Sequence, residues 1–127
     1  MKTRTVIVIK PDCSGNGVMF QELLGLLIDN CLKIVYCEMI QRTRYFWLEF
    51  YIAHKGQPYY EPLVEWMSSG FANFLLVEGE GEDVVQRVRT RIVVPLRKKY
   101  QTSDQKNAIH ASDSPITAER EAILISD

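Results

Sequence analysis

Apolar residues along this chain come in short blocks, and their spacing switches repeatedly between strand and helix periods. Thr5 to Ile9 is a compact β-branched run ended by Lys10-Pro11-Asp12, which predicts a buried strand stopped by proline. Asp12 to Gly17 carries Ser14, Gly15 and Asn16 and reads as a loop. Val18 to Ile28 then has helical apolar density, with Asn30 as its stop. Leu32 to Ile40 returns to strand composition. Thr43 to His54 reads as one helix with Tyr51 and His54 on the same side, and Pro62 to Met67 as a shorter one. Phe71 to Val77 is the next strand, and Glu82 to Val94 has a helical pattern. A last helix runs from Pro115 to Ile123, with Ser114 at its N-cap and proline in its first turn.

Strands alternating with helices predict an α+β sandwich, a small antiparallel sheet of about four strands covered by helices. The order strand, helix, strand, helices, strand, helix fits a ferredoxin-like core. Its fourth strand is poorly marked, and Tyr100 to Ser103 is the candidate. No linker, repeat or low-complexity stretch interrupts the pattern, and 127 residues suit a single domain over 1–127 with a real core.

A net charge of -1 supplies no overall attraction to nucleic acid or anionic membrane, so any electropositive site must be local. The three cysteines, Cys13, Cys31 and Cys37, are odd in number and lack metal-ligand spacing. They predict buried or half-buried thiols in a reducing compartment. The apolar run after Met1 is interrupted by Lys10 and is too short for a secretory core or a membrane span, so a cytoplasmic protein is expected.

The chemistry concentrates in Asn107-Ala108-Ile109-His110-Ala111-Ser112-Asp113-Ser114, where one histidine lies among small and polar residues just before a helix start. Imidazole can accept a phosphoryl group and hand it on, and it is partly uncharged near neutral pH. Lys10-Pro11-Asp12, Phe50 to His54, Pro58-Tyr59-Tyr60, Ser69-Gly70, Glu78-Gly79, the His110 segment and Ala118-Glu119-Arg120-Glu121 occur in this order. Together they resemble the nucleoside diphosphate kinase family from about Thr3 to Ile123.

The resemblance implies ping-pong transfer of the terminal phosphoryl group from a nucleoside triphosphate to His110 and on to a nucleoside diphosphate. Glu121 matches the carboxylate that orients the histidine, and Ser112 a hydroxyl behind that carboxylate. Lys10 and Tyr51 match groups beside the phosphates and the reacting nitrogen. Arg89 and Arg97 match two guanidinium positions that clamp phosphates, a task suited to their bidentate geometry. His54 matches a phosphate contact and Asn107 a ribose contact. Tyr59 matches the aromatic ring stacked on the base, with Leu63 lining the same slot. Mg2+ bridging the phosphates is implied as well, held mainly by the nucleotide. So is a homo-oligomer, a dimer or higher.

Several positions depart from the family pattern. Only Thr90 to Leu96 separate Arg89 from Arg97, where the family carries a longer loop with a phosphate-contacting threonine. That loop also contributes to larger assemblies, so its shortening points toward a dimer. Asp104 stands where the family often has an apolar residue under the base, and Gln57 replaces a common arginine. The sequence stops at Ser126-Asp127, short of the family's aromatic end. A catalytically impaired nucleotide-binding or interaction relative is the main alternative. A nucleic-acid module using Tyr59, Tyr60 and the basic run from Arg87 to Lys99 is another, opposed by the adjacent acidic stretch Glu78 to Asp83. Retention of Lys10, Tyr51, Arg97, Asn107, His110 and Glu121 favours the enzyme.

Overall fold

A computed structural model describes residues 1–126. Four strands, β1 (Lys2–Ile9), β2 (Lys33–Ile40), β3 (Ala72–Glu80) and β4 (Ile109–Ala111), form one sheet in the order β2-β3-β1-β4. Every pairing is antiparallel. This is the α+β, ferredoxin-like arrangement expected from the order of elements.

Both faces of the sheet are covered. Val6, Val8, Phe74 and Leu76 point to one face and Ile7, Ile9, Leu75 and Val77 to the other, as the two-residue period of a strand requires. The first face packs against α2 (Arg44–Phe50), α3 (Tyr60–Ser68) and α6 (Pro115–Ser126) through Trp47, Phe50, Val64, Met67 and Ala122. The second packs against α1 (Gly17–Asp29) and the helical run from residue 84 to 100, through Met19, Leu23, Val88, Ile92 and Leu96. Double coverage explains why the β1 run is continuous rather than alternating. Each fully buried Leu or Ile here contributes roughly 1.5–3 kcal/mol by leaving water.

Local signals set most boundaries. Asn16 caps α1 by accepting from the Met19 N–H at 3.0 Å, and the Asn30 backbone closes its other end. Thr43 caps α2 by accepting from the Phe46 N–H, and Ser114 caps α6 by accepting from Thr117 N–H at 3.1 Å.

Four expectations are corrected. The fourth strand is not at Tyr100 to Ser103: Tyr100 ends a helix, and the strand is the three-residue segment around His110. Thr43 to His54 is not one helix, because α2 stops at Phe50 and a 3-10 turn, Ile52–His54, follows. The helix expected to stop at Val94 continues. α4 (Val84–Val88) passes through a π-helical turn (Arg89–Val93) into α5 (Val94–Tyr100). Pro95 lacks an N–H and would clash in a straight α-helix; the wider turn, with Val94 N–H bonded to Arg89 C=O, relieves both problems. Finally, only Cys13 is buried, whereas Cys31 and Cys37 are exposed, because Cys31 lies in the α1–β2 turn and Cys37 on the sheet-edge strand β2.

Candidate active site

His110 owes its direction to sheet register. It lies directly opposite Val8, so its ring emerges on the α2/α6 face, while Ile109 and Ala111 point into the opposite core. Ala108, just before β4, adopts φ 74°. That uncommon conformation is held from both sides: Ala108 N–H donates to Asp12 Oδ2 at 3.1 Å, and Ala108 C=O accepts from Lys10 N–H at 2.8 Å. The Lys10-Pro11-Asp12 corner therefore shapes the entry to the histidine strand.

One nitrogen of His110 is engaged. Nε2 lies 3.2 Å from Glu121 Oε1, and the same oxygen accepts from the Ser112 hydroxyl at 2.7 Å. Ser112 Oγ in turn accepts from the Val6 N–H at 3.3 Å. A carboxylate only accepts, so this bond assigns the ring proton to Nε2 and leaves the lone pair on Nδ1. Glu121 is 2% exposed and Ser112 fully buried, which fixes the ring against a rigid base.

Two aromatic rings wall the imidazole. Phe50 and Tyr51 stand edge-on to it, with centroids 5.1 Å and 5.7 Å away. The Tyr51 hydroxyl is buried without a hydrogen-bond partner. Burial, reinforced by the Glu121 charge and opposed by Arg97, pushes its pKa far upward, so it remains a donor at any physiological pH. An unsatisfied buried hydroxyl costs about 1–3 kcal/mol, which an incoming oxygen acceptor would recover.

Positive charge gathers beside it. Lys10 is 5% exposed, and its pKa falls to about 8 because of burial and then Arg97, partly offset by Asp12. Among the described residues its Nζ has only the Gln105 carbonyl, at 3.5 Å. Arg97 donates from Nε to the Ile109 carbonyl at 2.9 Å, which anchors it to the histidine strand. Burial, followed by the nearby Arg89 charge, lowers its pKa. Arg89 and Arg97 line one groove of about 220 Å³ with Gln86, Thr90 and Val93. Eight residues apart across the π-helical turn, they share a face of the helical run.

The base-side candidates form a looser set. His54 Nδ1 lies 2.6 Å from the hydroxyl of Tyr59, which is 47% exposed. The His54 ring is 6.0 Å from that of Tyr51. Leu63 is 8% exposed in α3, one turn beyond Tyr59. Asn107 Nδ2 donates to the Asp104 carbonyl at 3.0 Å, and its Oδ1 is buried without a partner. Asp104 itself is exposed.

Residues outside the sequence reading brace these groups. Gln105 Nε2 donates to the Pro62 carbonyl at 2.8 Å, linking the 101–107 loop to α3. Arg120 donates to the carbonyls of Glu49 and Phe50. All three bonds end on backbone oxygens distant in sequence, and no side-chain pattern encodes such partners. Two residues assigned by the nucleic-acid reading are used otherwise. Tyr60 is a core residue whose hydroxyl donates to the Leu48 carbonyl, and Arg87 is tied to Asn30, Glu80 and Asp83.

The sheet order places His110 on the short edge strand β4, backed by the buried Glu121. The chain belongs to the nucleoside diphosphate kinase family, whose model matches residues 3–126. The Aquifex aeolicus nucleoside diphosphate kinase is 37% identical over 96% of this chain and 92% of its own length. That of Staphylothermus marinus is 34% identical over 96% and 91%. Among solved structures, the Aquifex aeolicus enzyme superposes with TM-score 0.85 at 35% identity, covering 98% of this chain and 95% of the other. A family protein from Babesia bovis gives TM-score 0.82 at 25% identity, over 96% and 86%.

Proposed function

We propose that this single-domain protein is a nucleoside diphosphate kinase that works through a phosphorylated His110. The observation that carries this reading is the His110–Glu121–Ser112 chain. It holds the proton on Nε2 and leaves Nδ1 free as the nucleophile, with Tyr51, whose hydroxyl is unpartnered among the described residues, edge-on to the ring. The substrate enters as the Mg2+ complex of a nucleoside triphosphate. In this reading most of the ion's coordination comes from the phosphates of the nucleotide.

Nδ1 attacks the terminal phosphorus, a P–N bond forms, and the P–O bond to the leaving diphosphate breaks. Lys10 and Arg97 neutralise the charge that spreads over the equatorial and leaving oxygens, and Arg89 holds the outer phosphates. Tyr51 donates its hydroxyl to the transferring group. A nucleoside diphosphate then takes the phosphoryl group by the reverse route, which regenerates neutral His110. Asn107 and His54 contact the sugar–phosphate portion, and Tyr59 stacks on the base above Leu63. Stacking accepts any base, so broad nucleotide specificity follows. The reading also includes a cytoplasmic location and a homo-oligomer. No helix among the described residues is long and apolar enough to cross a membrane.

The test is direct. Protein incubated with terminally labelled ATP and Mg2+, then freed of nucleotide, should carry an acid-labile, alkali-stable label that GDP removes. His110→Ala should carry none. Intact folded protein without label would sink the reading, and so would a label that GDP cannot discharge.

A further inference from the structure

The segment Ala118-Glu119-Arg120-Glu121 supplies Glu121 to the histidine, and its neighbour Arg120 is tied to a different helix. Its guanidinium reaches across from α6 to the end of α2. Nη1 donates to the Glu49 carbonyl at 3.1 Å and Nη2 to the Phe50 carbonyl at 3.0 Å. A helix leaves its last carbonyls without partners, and a cation there also complements the helix dipole. The two carbonyls Arg120 takes are those immediately before Tyr51. Nη2 also sits 4.0 Å from Glu121 Oε2, the oxygen opposite the one that His110 and Ser112 share.

Three pieces must meet at the imidazole: β4 with His110, α6 with Glu121, and the α2 end with Phe50 and Tyr51. β4 is joined to α6 through Glu121. The α2 end makes only ring-edge contacts with His110, and the Tyr51 hydroxyl has no bond of its own to hold it. At Tyr51 the chain passes from α-helix to a 3-10 turn, and its backbone bonds, N–H to Trp47 C=O and C=O from His54 N–H, are local to that segment and tie it to neither α6 nor β4. Arg120 supplies the missing side of this triangle, from the residue adjoining Glu121 to the residues adjoining Tyr51.

We propose that Arg120 is a positioning residue, which ties the Tyr51 end of α2 to α6 and so holds the Tyr51 hydroxyl in register with His110. The proposal rests on the reading that His110 is the phosphoryl carrier. A planar fork can span two carbonyls, whereas an ammonium is a point donor, so lysine substitutes only in part.

The experiment compares Arg120→Met, which keeps an apolar stem, with Arg120→Lys, each alone and in a Tyr51→Phe background. The rate of His110 phosphorylation at saturating Mg2+–ATP should fall roughly tenfold in Arg120→Met, the scale of a small misplacement of a catalytic group. KM should stay within about twofold, since Arg120 contacts no nucleotide, and Arg120→Lys should recover part of the rate. In Tyr51→Phe the further loss on adding Arg120→Met should be under about twofold, because the hydroxyl being positioned is already gone. Losses that multiply in the double variant would overturn the proposal. So would an unchanged rate in folded Arg120→Met, or full recovery by lysine. The His110 ring resonances of the nucleotide-free protein give a second readout. Phe50 and Tyr51 shift them through their ring currents, and these shifts should move in Arg120→Met whether or not the protein transfers phosphate. Unlabelled wild-type protein with a displaced ring signal in the variant would reject the kinase reading and keep the positional one. Were Arg120→Met to unfold, the same rate and resonance in Arg120→Lys decide: wild-type values for both would overturn the proposal.

Discussion

His110 stands in a corner where each neighbour has a neighbour of its own, whereas the arch running from Arg89 through the π-helical turn to the 101–107 loop is mostly exposed. In the corner, Glu121 and Ser112 are buried, Phe50 and Tyr51 close the sides, and Arg97 is pinned to the Ile109 carbonyl. On the arch, Arg89, Thr90 and Arg91 face solvent, and the 101–107 loop is held by its own short-range bonds and by Gln105 to Pro62. The contrast separates two tasks. Groups that meet the reacting atoms must be placed before substrate arrives, since misplacement costs rate directly. Groups that hold outer phosphates can close on them afterwards, since a charged hydrogen bond tolerates adjustment. Under the proposed function the arch therefore bears on binding rather than on the chemical step.

The largest effect is expected from loosening the corner. Glu121→Gln keeps the volume but replaces the carboxylate that holds Nε2–H. The single-turnover rate of His110 phosphorylation should fall roughly a hundredfold, with little change in nucleotide affinity. Ser112→Ala should cost less, because Glu121 retains the histidine. A Glu121→Gln rate near wild type would show that the corner does not set the histidine, and the contrast would fail. Next come the two arginines, which straddle the regions. Arg89→Ala should raise KM by about tenfold with the saturated rate nearly intact, since it removes one charged contact from the exposed side. Arg97→Ala should lower the saturated rate as well, because its Nε bond shapes the histidine strand. Equal kinetic signatures for the two would erase the boundary drawn here.

Lys10 gives a pH test of intermediate size. In the free protein its ammonium titrates near pH 8, held down by burial and Arg97. A bound triphosphate puts negative charge beside it and raises that pKa. The contribution of Lys10 to affinity is then complete below about pH 8 and is lost as pH rises from there through the higher value of the complex. Calorimetry at pH 9 in buffers of different ionisation enthalpy should register net proton uptake on triphosphate binding. Lys10→Gln should abolish that uptake. Binding at pH 9 without proton uptake would remove Lys10 from the phosphate site.

The same contrast governs what could be read from residues alone. The β1 run, the capped α1 and the His110–Glu121 pair were legible, because buried runs, caps and a short motif announce themselves over a few positions. β4 was not. Three residues cannot display a period, and what makes Ile109–Ala111 a strand is its pairing with Ile7–Ile9, far away in the chain. The break in α2 at Tyr51 was equally hidden, as helical composition continues through it. Thr90 to Leu96 announced a shortened segment but not the π-helical turn that lets helix run straight through Pro95. Arg120 and Gln105 were invisible as ties for a simpler reason: their partners are carbonyls, which every residue has.

The smallest effect, and the most specific to the arch, concerns Pro95. The π-helical turn widens the helix just where a straight one would meet the proline ring, and it lies between Arg89 and Arg97. Alanine at 95 restores an N–H and removes the clash, so an ordinary α-helix becomes accessible over the same residues. Relaxing one π turn to α rotates everything beyond it by about a hundred degrees relative to Arg89. The two arginines would then no longer share a face. Core residue Leu96 and the Arg97–Ile109 bond resist that rotation, so the change is partial. Pro95→Ala should raise the thermal midpoint modestly, as a helix gain of up to about 3 kcal/mol is set against about 1 kcal/mol from the greater freedom of the unfolded chain. KM for the triphosphate should rise a few-fold while the phosphorylation rate at saturation holds. Hydrogen exchange reports on the cause: the new amide at 95 should be protected if the turn has relaxed to α-helix and exposed if it has not. An unchanged KM with a protected amide would mean that arginine alignment across the turn does not matter to phosphate binding. The arch would then act through charge alone.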